Sequence, residues 1–408
     1  MAGELAAAFG GVGALAVVSR LTRSTTLSAI TGAIGLLLAL GAVHVVRSVF
    51  RWQADLWVVP YLTQNREKFD RTRPIDVCFY FVDHYEPDWA DAPVDLQIER
   101  VRKWEAAYRD AVAGHVDSDG RCPQHTWFSP VAGIHPAAMS VIATWPGLQW
   151  GEIEYHLHHD PKMNEAEIAA QIRQDIEALQ RYHAVPTRRY GFVHGMSALG
   201  AGDPEYCQAK GEIDVLLETG CYADFTFGAV DSPAQPRQVN SIYYASANGK
   251  PKSYDTGPQA EVAKSHPGLL LIPGPMWLGL ARRALDDGDL SQSSPPTPRR
   301  IARWLDAHIH VKGRPNWVLI GVHSHSAVEG NRDELFCGGM QKLWQALESR
   351  FKTAKARLHY CTAREVYNIV KAGEAGLTGD PNDYRDYEIP RPTAAQQCAQ
   401  VGGGNSIT

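Results

Sequence analysis

The sequence has few cysteines, and no two of them form a C-x-x-C pair. Seven cysteines are spread over 408 residues, which argues against a structural zinc knuckle. Their number is odd, and Cys78 lies inside an apolar run, so we expect buried free thiols. A disulfide between Cys207 and Cys221 is the alternative that remains open.

A large charge of either sign is also missing. The formal net charge is -5, and no long basic run is present, so we expect no nucleic-acid partner. The hydrophobic content of 44% and the charged content of 21% are typical of a globular protein. Histidine is abundant instead, with 16 residues, and many of them occur in tight groups.

Residues 1–50 have very few charged side chains. The run from Leu27 to Val46 is almost unbroken in its apolar character, and about 20 such residues cross a ~30 Å hydrocarbon core. We therefore predict an N-terminal transmembrane helix within an anchor at 1–50, with 5–19 as a second pass or an interfacial helix. The run is too long, and lacks a clear cleavage site, for a signal peptide.

Basic residues flank both ends of this apolar run. Arg20 and Arg23 precede it, and Arg47 and Arg51 follow it, so the positive-inside rule discriminates weakly. A single pass places the following domain outside the cytoplasm, whereas a two-pass hairpin keeps it inside. We predict a protein of the bacterial inner membrane, with the bilayer as a partner and the periplasmic side favoured.

Short apolar strands alternate with amphipathic helices after a predicted linker helix at 51–73. This alternation predicts a parallel α/β architecture, and about eight strands in this length favour a (β/α)7–8 barrel over residues 74–378. The tail at 379–408 should be loosely held. The strands are predicted at 75–82, 125–128, 152–156, 190–193, 223–227, 269–272, 317–322 and 357–360.

Acids and histidines follow the first predicted strand, at the end where a parallel barrel has its active site. Asp83, His84 and Glu86 come together there, and burying such groups is costly without a partner or a metal ion. This coincidence favours a functional site over an ordinary strand-to-loop turn.

The segment "EIEYHLHHD" carries a second group. Strand alternation points His156 and His158 to one side, and His159 away from them unless the chain turns. Imidazoles with a nearby carboxylate, here Asp160, are the usual ligands of zinc. We therefore expect a metal site in this segment.

A later strand ends in His323 and His325, which also share one side. Histidine titrates near neutral pH and suits general acid work, although a pair of core histidines is the alternative. Weaker candidates at other strand ends are Arg188, Arg189, His194 and Asp224.

The order of these motifs resembles the polysaccharide deacetylases of carbohydrate esterase family 4. The resemblance covers roughly residues 74–370, through "FVDHYEP", "EIEYHLHHD", "RRYGFVHG", "ADFTFGA" and "LIGVHSHS". It implies a distorted barrel of seven or eight strands, a divalent ion, usually Zn²⁺, and hydrolysis of acetyl groups on a polysaccharide. Two positions depart from the family pattern: His84 stands where the family has its second acid, and Asp160 where it has its second metal histidine.

The resemblance also implies roles for individual residues. Asp83 matches the base that activates water, and His323 or His325 matches the histidine that protonates the leaving group. Arg188 or Arg189, of which we favour Arg189, matches the arginine that orients the base. The expected metal ligands are His84, His156, His158 and Asp160, with His159 as an alternative, and the expected substrate-binding residues are Glu86, His194 and Asp224.

The predicted function is that of a metal-dependent hydrolase removing an N- or O-acetyl group from a cell-surface or exported polysaccharide. One alternative is a glycoside hydrolase of the family 57 or 38 kind, with Asp224 as nucleophile, which needs two carboxylates about 5–9.5 Å apart. The other is a non-catalytic, membrane-bound glycan-binding or assembly protein, which predicts no bound metal.

Overall fold

The structure, a computed structural model, describes residues 25–64, 66–182, 188–279 and 285–391. The chain divides into two units, 1–58 and 59–408. The described part of the first unit contains helix α1, Thr25–Arg51, and the start of α2, Ala54–Thr63. The predictions for 5–19, Arg20 and Arg23, and those for 392–408, fall outside the described residues.

The prediction of a membrane anchor is corrected by the helices of the described chain. A membrane span requires roughly 20 predominantly apolar residues in one helix. No helix in the described ranges combines the length and the apolar character needed to cross a bilayer. The predicted transmembrane helix at Leu27 to Val46 is therefore wrong, and so is the inner-membrane location that depended on it.

Nine strands of the second unit form one sheet, and two more form a small sheet of their own. The small sheet consists of β8, Trp277–Leu278, and β9, Leu285–Asp286. The strands of the main sheet are β1 Ile75–His84, β2 His125–Ser129, β3 Gly151–Leu157, β4 Tyr190–His194, β5 Cys221–Asp224, β6 Tyr243–Ala245, β7 Leu269–Leu271, β10 Trp317–Ser324 and β11 Ala356–Cys361.

The main sheet is mostly parallel and has the order β10-β1-β2-β3-β4-β5-β7-β6, with β11 beside the first half of β1. Among the described strands of this sheet, only β6 runs antiparallel to its neighbour. These observations confirm the predicted α/β class with a parallel sheet. Every strand in the path except the two at its ends has a neighbour on each side.

The predicted closed barrel is wrong. A barrel requires that the two edge strands pair with each other, and within the described ranges no strand ladder joins β10 to β6. The sheet narrows towards β6, because β5 and β7 pair through only two residue pairs. The sheet is consequently open, and the carboxyl ends of its long strands form one edge.

Helices cover the sheet and begin where the sequence provides caps. Asn164 and Glu167 form a capping box at the start of α5, and Thr362 and Glu365 do the same for α10. The helices are α3 Val94–Val112, α4 Pro136–Ile142, α5 Glu165–Arg181, α6 Glu212–Thr219, α7 Pro298–Ala307, α8 Glu329–Glu334, α9 Met340–Phe351 and α10 Ala363–Glu374.

Both faces of β1 are buried, as expected for a parallel strand between covered layers. Phe79 and Phe81 belong to the larger core cluster, together with Trp104 of α3. Tyr80 and Val82 belong to a second cluster on the other face. Because side chains alternate along a strand, Asp83 continues the first face and His84 the second. This alternation decides which of the two reaches the site described below.

Two further expectations concern the cysteines and the tail. Cys207 and Cys221 are both free, so the alternative of a disulfide between them is not realised. The described part of the tail contains a short helix, Pro381–Tyr384, and both Arg385 and Ile389 are buried.

Candidate metal centre

Histidines from three strand ends meet at the carboxyl edge of the sheet. His84 ends β1, His156 and His158 lie at the end of β3, and His325 follows β10. The ring centroid of His84 lies 5.1 Å from that of His156 and 4.6 Å from that of His325. Three of the groups found in the sequence therefore converge on one place.

Glu86 is the carboxylate of this group. Its Oε1 atom lies 2.9 Å from Nε2 of His158 and 3.6 Å from Nε2 of His156. Its Oε2 atom lies 3.9 Å from Nε2 of His325. Burial alone would raise the pKa of Glu86, but the neighbouring imidazoles of His156 and His158 outweigh it and hold the pKa well below its ordinary value. Glu86 is therefore an anion among imidazoles.

The backbone fixes the tautomer of His156. Its Nδ1 atom lies 2.9 Å from the carbonyl oxygen of Val193 and donates to it. The Nε2 atom of the neutral ring consequently carries a lone pair, and it faces Nε2 of His158 at 3.1 Å. Metal-binding histidines typically donate their other ring N–H to a backbone carbonyl in this way. Glu86, His156 and His158 offer three ligand atoms within 4.8 Å of one another.

His84 and His325 border these three residues. Burial lowers the pKa of His84 well below its ordinary value, and the neighbouring histidines lower it further. Burial also lowers the pKa of His325. The neutral imidazole is the form that binds a metal ion, so both rings are suited to that role. His323 lies farther out, with its ring centroid 6.4 Å from that of His84.

These residues border a pocket of about 450 Å³, lined by Glu86, His156, His158, Asp88 and Trp89, among others. Burial raises the pKa of Asp88, and its Oδ1 atom has no hydrogen-bond partner among the described residues. Trp89 is 45% exposed, and its ring lies 5.8 Å from that of His325.

Sequence reasoning missed Asp88 and Trp89. The available signal was their position directly after Glu86 in "DHYEPDW", since a loop that carries one pocket residue often carries others.

Asp83 lies outside the pocket, on the opposite face of β1. It is fully buried and hydrogen-bonded to Nε2 of His125 at 2.8 Å and to the backbone N–H of Ser326 at 2.9 Å. The hydroxyl of Ser326 donates to it as well. These contacts tie the loop after β10 to β1, and they do not suit the predicted role of a base.

Other predicted site residues also lie elsewhere in the described structure. Arg189 precedes β4, at the amino edge of the sheet, and donates to the hydroxyl of Tyr367 at 3.2 Å. Asp160 is exposed and accepts the backbone N–H of Lys162 at 2.8 Å. Neither residue lines the pocket.

Asp224 and Arg188 are likewise not among the pocket residues. Asp224 is buried at the end of β5, where burial raises its pKa to about 7 and Thr226 hydrogen-bonds to it. Arg188 is exposed, with a guanidinium nitrogen 3.9 Å from Glu177.

Two more groups of the described residues carry ligand chemistry. His159 points away from His158 and meets His194, Cys207 and Glu212. At the amino edge of the sheet, Asp76, His359 and Asp380 form the other group. The described residues thus contain several side-chain groups suited to a metal ion. The group around Glu86 lines the pocket described above, and Asp76 and Asp380 of the third group line another.

No protein-family model matches the sequence, and no curated protein is significantly similar to it. The function is therefore argued from the residues of the site.

Proposed function

We propose that the protein is a metal-dependent hydrolase that removes an acyl group, such as acetyl, from a carbohydrate. The observation that supports this proposal is the convergence of Glu86 and the Nε2 atoms of His156 and His158 at the wall of a pocket. The resemblance of the motif order to polysaccharide deacetylases supports the choice of an acyl group.

Glu86, His156 and His158 would hold the ion. Two imidazoles and a carboxylate form the ligand set of many catalytic zinc sites, which keep one position open for water. A bound divalent ion polarises the acyl oxygen and brings the pKa of bound water to about 7.

Proton transfer requires groups beside the ion that are not needed as ligands. Asp88 lines the pocket, where burial raises the pKa of its carboxyl group, and the side chain of His325 is 35% exposed beside Glu86. We assign the two transfers, from the attacking water and to the leaving group, to this pair. Asp83 cannot share this role, because it is buried on the other face of β1.

The walls of the pocket favour a sugar as the substrate. The exposed indole of Trp89 offers a flat apolar surface with a polar N–H, which suits stacking on a sugar ring. The volume of about 450 Å³ falls within the usual range of small-ligand sites. The carboxylates of Asp88 and Asp91, which also line it, are available to accept hydrogen bonds from hydroxyl groups.

The test is acetate release from a panel of N-acetylated and O-acetylated oligosaccharides by the zinc-loaded protein. His158→Ala should lose both zinc and activity, and Asp88→Asn should keep zinc and lose about 100-fold in kcat. His266→Ala and Asp95→Asn are matched controls outside the pocket and should behave as wild type. Acetate release that survives both site substitutions would contradict the proposal.

A glycosidase remains the second candidate, because Glu86 and Asp88 place two carboxylates at the same pocket. The same reactions should therefore be assayed for new reducing ends. Reducing ends without acetate would support the glycosidase. Neither product from a zinc-loaded protein, over the whole panel, would favour a binding protein.

A further inference from the structure

A second group of ligand side chains lies outside the pocket and is closed to solvent. His159 follows β3, His194 ends β4, Cys207 lies in the loop after it, and Glu212 begins α6. His194 is 1% exposed, and Cys207 and Glu212 are both 0% exposed. The side chain of His159 is also fully buried.

The four ligand atoms all lie within 4.8 Å of one another. The Nε2 atoms of His159 and His194 are 3.2 Å apart. The Oε1 atom of Glu212 lies 3.2 Å from the Nε2 atom of His194 and 3.8 Å from that of His159. Two nitrogens bound to one tetrahedral zinc at about 2.0–2.1 Å are roughly 3.3–3.4 Å apart. The spacing therefore matches the edges of a zinc tetrahedron.

Both imidazoles direct a lone pair into this group. The Nδ1 atom of His159 donates to the carbonyl oxygen of Asp160 at 2.8 Å, and that of His194 donates to the carbonyl oxygen of Gly195 at 2.5 Å. In the neutral rings the two Nε2 atoms consequently face each other without a proton between them. This is the orientation that backbone carbonyls give to metal-binding histidines.

Glu212 provides an observation, independent of the histidine geometry, that points to a bound cation. Its Oε2 atom accepts the backbone N–H of Gly200 at 2.7 Å, whereas its Oε1 atom is buried and has no hydrogen-bond partner among the described residues. Burying a carboxylate oxygen without a partner is costly. The unpaired oxygen is the one that points at the two histidines.

We propose that His159, His194, Cys207 and Glu212 bind a structural Zn²⁺ ion, each through one atom. Four protein ligands leave no open position, which distinguishes a structural site from a catalytic one. Binding releases the thiol proton of Cys207, because the thiolate is the ligand. The ion would link the loop after β3, the end of β4 and the start of α6. The proposal of this second ion does not depend on the proposed function.

The experiment measures zinc in the full-length protein, purified without added chelator, by mass spectrometry. His158→Ala should lose the pocket ion and still hold about one zinc per chain. Adding Cys207→Ala to that variant should remove the remaining ion. Cys221→Ala is the matched control, because Cys221 is also buried and free but lies outside the group. His158→Ala protein without zinc, or zinc unaffected by Cys207→Ala, would overturn the proposal.

A spectrum of the His158→Ala protein decides the question even if the cysteine variant does not fold. Protein produced with Co²⁺ in place of zinc should show the near-ultraviolet charge-transfer band of a thiolate bound to cobalt. The residues around Glu86 include no cysteine, so the band reports Cys207 alone. Cobalt bound without this band would overturn the assignment. A hydrogen-bonded imidazolium between Glu212 and the histidines would then account for the group.

Discussion

Strand β1 has histidines and acids at both of its ends, and the two groups differ in what their imidazoles contact. At the amino end, both ring nitrogens of His359 contact carboxylates: Nδ1 lies 2.7 Å from Asp119, and Nε2 lies 3.1 Å from Asp76. At the carboxyl end, Nδ1 of His156 donates to a carbonyl, and its Nε2 faces another imidazole.

This difference separates an ion network from a ligand set. Burial would lower the pKa of His359, but hydrogen bonds to Asp119 and Asp76 raise it to about 9. A metal ion would have to displace the proton of this ring, and Arg357 already contacts the same oxygen of Asp76 at 2.5 Å. The carboxylates at the amino end are therefore already paired with two cations, His359 and Arg357, whereas the contacts of Glu86 at the carboxyl end are with imidazoles.

The largest effect should follow from Glu86→Gln at the carboxyl end. The amide keeps the shape of the side chain and removes the charge that attracts the ion, so zinc affinity should fall by at least about 100-fold and the hydrolase activity with it. A zinc titration by calorimetry checks this, with Glu261→Gln, outside the pocket, as the control. Unchanged zinc affinity would remove Glu86 from the ligand set.

At the amino end, His359→Gln should lower stability without affecting metal. Removing the buried cation leaves Asp76 and Asp119 with fewer partners, and breaking such a pair costs about 3 kcal/mol. Urea denaturation measures the free energy of unfolding, with His266→Gln as the matched control. A loss of zinc from this variant would contradict the inference that the group at the amino end binds no metal ion.

The contribution of His359 should also depend on pH. Its pKa is raised to about 9 in the folded protein from about 6.5 in the unfolded chain, so its stabilisation is complete below pH 6.5 and is lost as the pH rises through 9. About 2 kcal/mol of it should be lost by pH 8. The difference between the unfolding free energies of wild type and His359→Gln, measured across this range, should shrink accordingly. A difference in unfolding free energy that stays constant with pH would contradict the pairing of His359 with Asp76 and Asp119.

The smallest effect should follow from Asp380→Asn. Its side chain is 28% exposed where it meets Arg357, and partly exposed ion pairs contribute about 1 kcal/mol or less. The free energy of unfolding should fall by that amount, and zinc content should not change. A fall in zinc would indicate that Asp76, His359 and Asp380 bind an ion.

Local pattern was sufficient to predict the parallel α/β class and the three strand ends that meet at the pocket. The residues on each strand end are adjacent in sequence, and parallel strands bring their carboxyl ends to one edge. The sequence pattern could not decide whether Asp83 or His84 reaches the pocket, because a shift of one residue along a strand exchanges its two faces. The register that decides it comes from pairing with β10.

Features that depend on contacts between segments far apart in the chain could not be predicted from the sequence. The sheet is open because its edge strands β10 and β6 do not pair in the described ranges, and no local signal in the sequence reports whether two edge strands will meet. Cys207 and Glu212 meet His159 only because the loop after β4 folds back on it, so nothing in their own segment marked them as ligands. The apolar run at Leu27 to Val46 shows that hydropathy by itself misled the prediction of the first unit.

Anomalous X-ray diffraction from crystals of the zinc-loaded protein, collected at the zinc absorption edge, locates bound ions directly. We expect a peak between Glu86, His156 and His158, a second peak beside Cys207, and none beside His359. The absence of a peak at Glu86, or a peak at His359, would contradict the distinction between the two ends of β1.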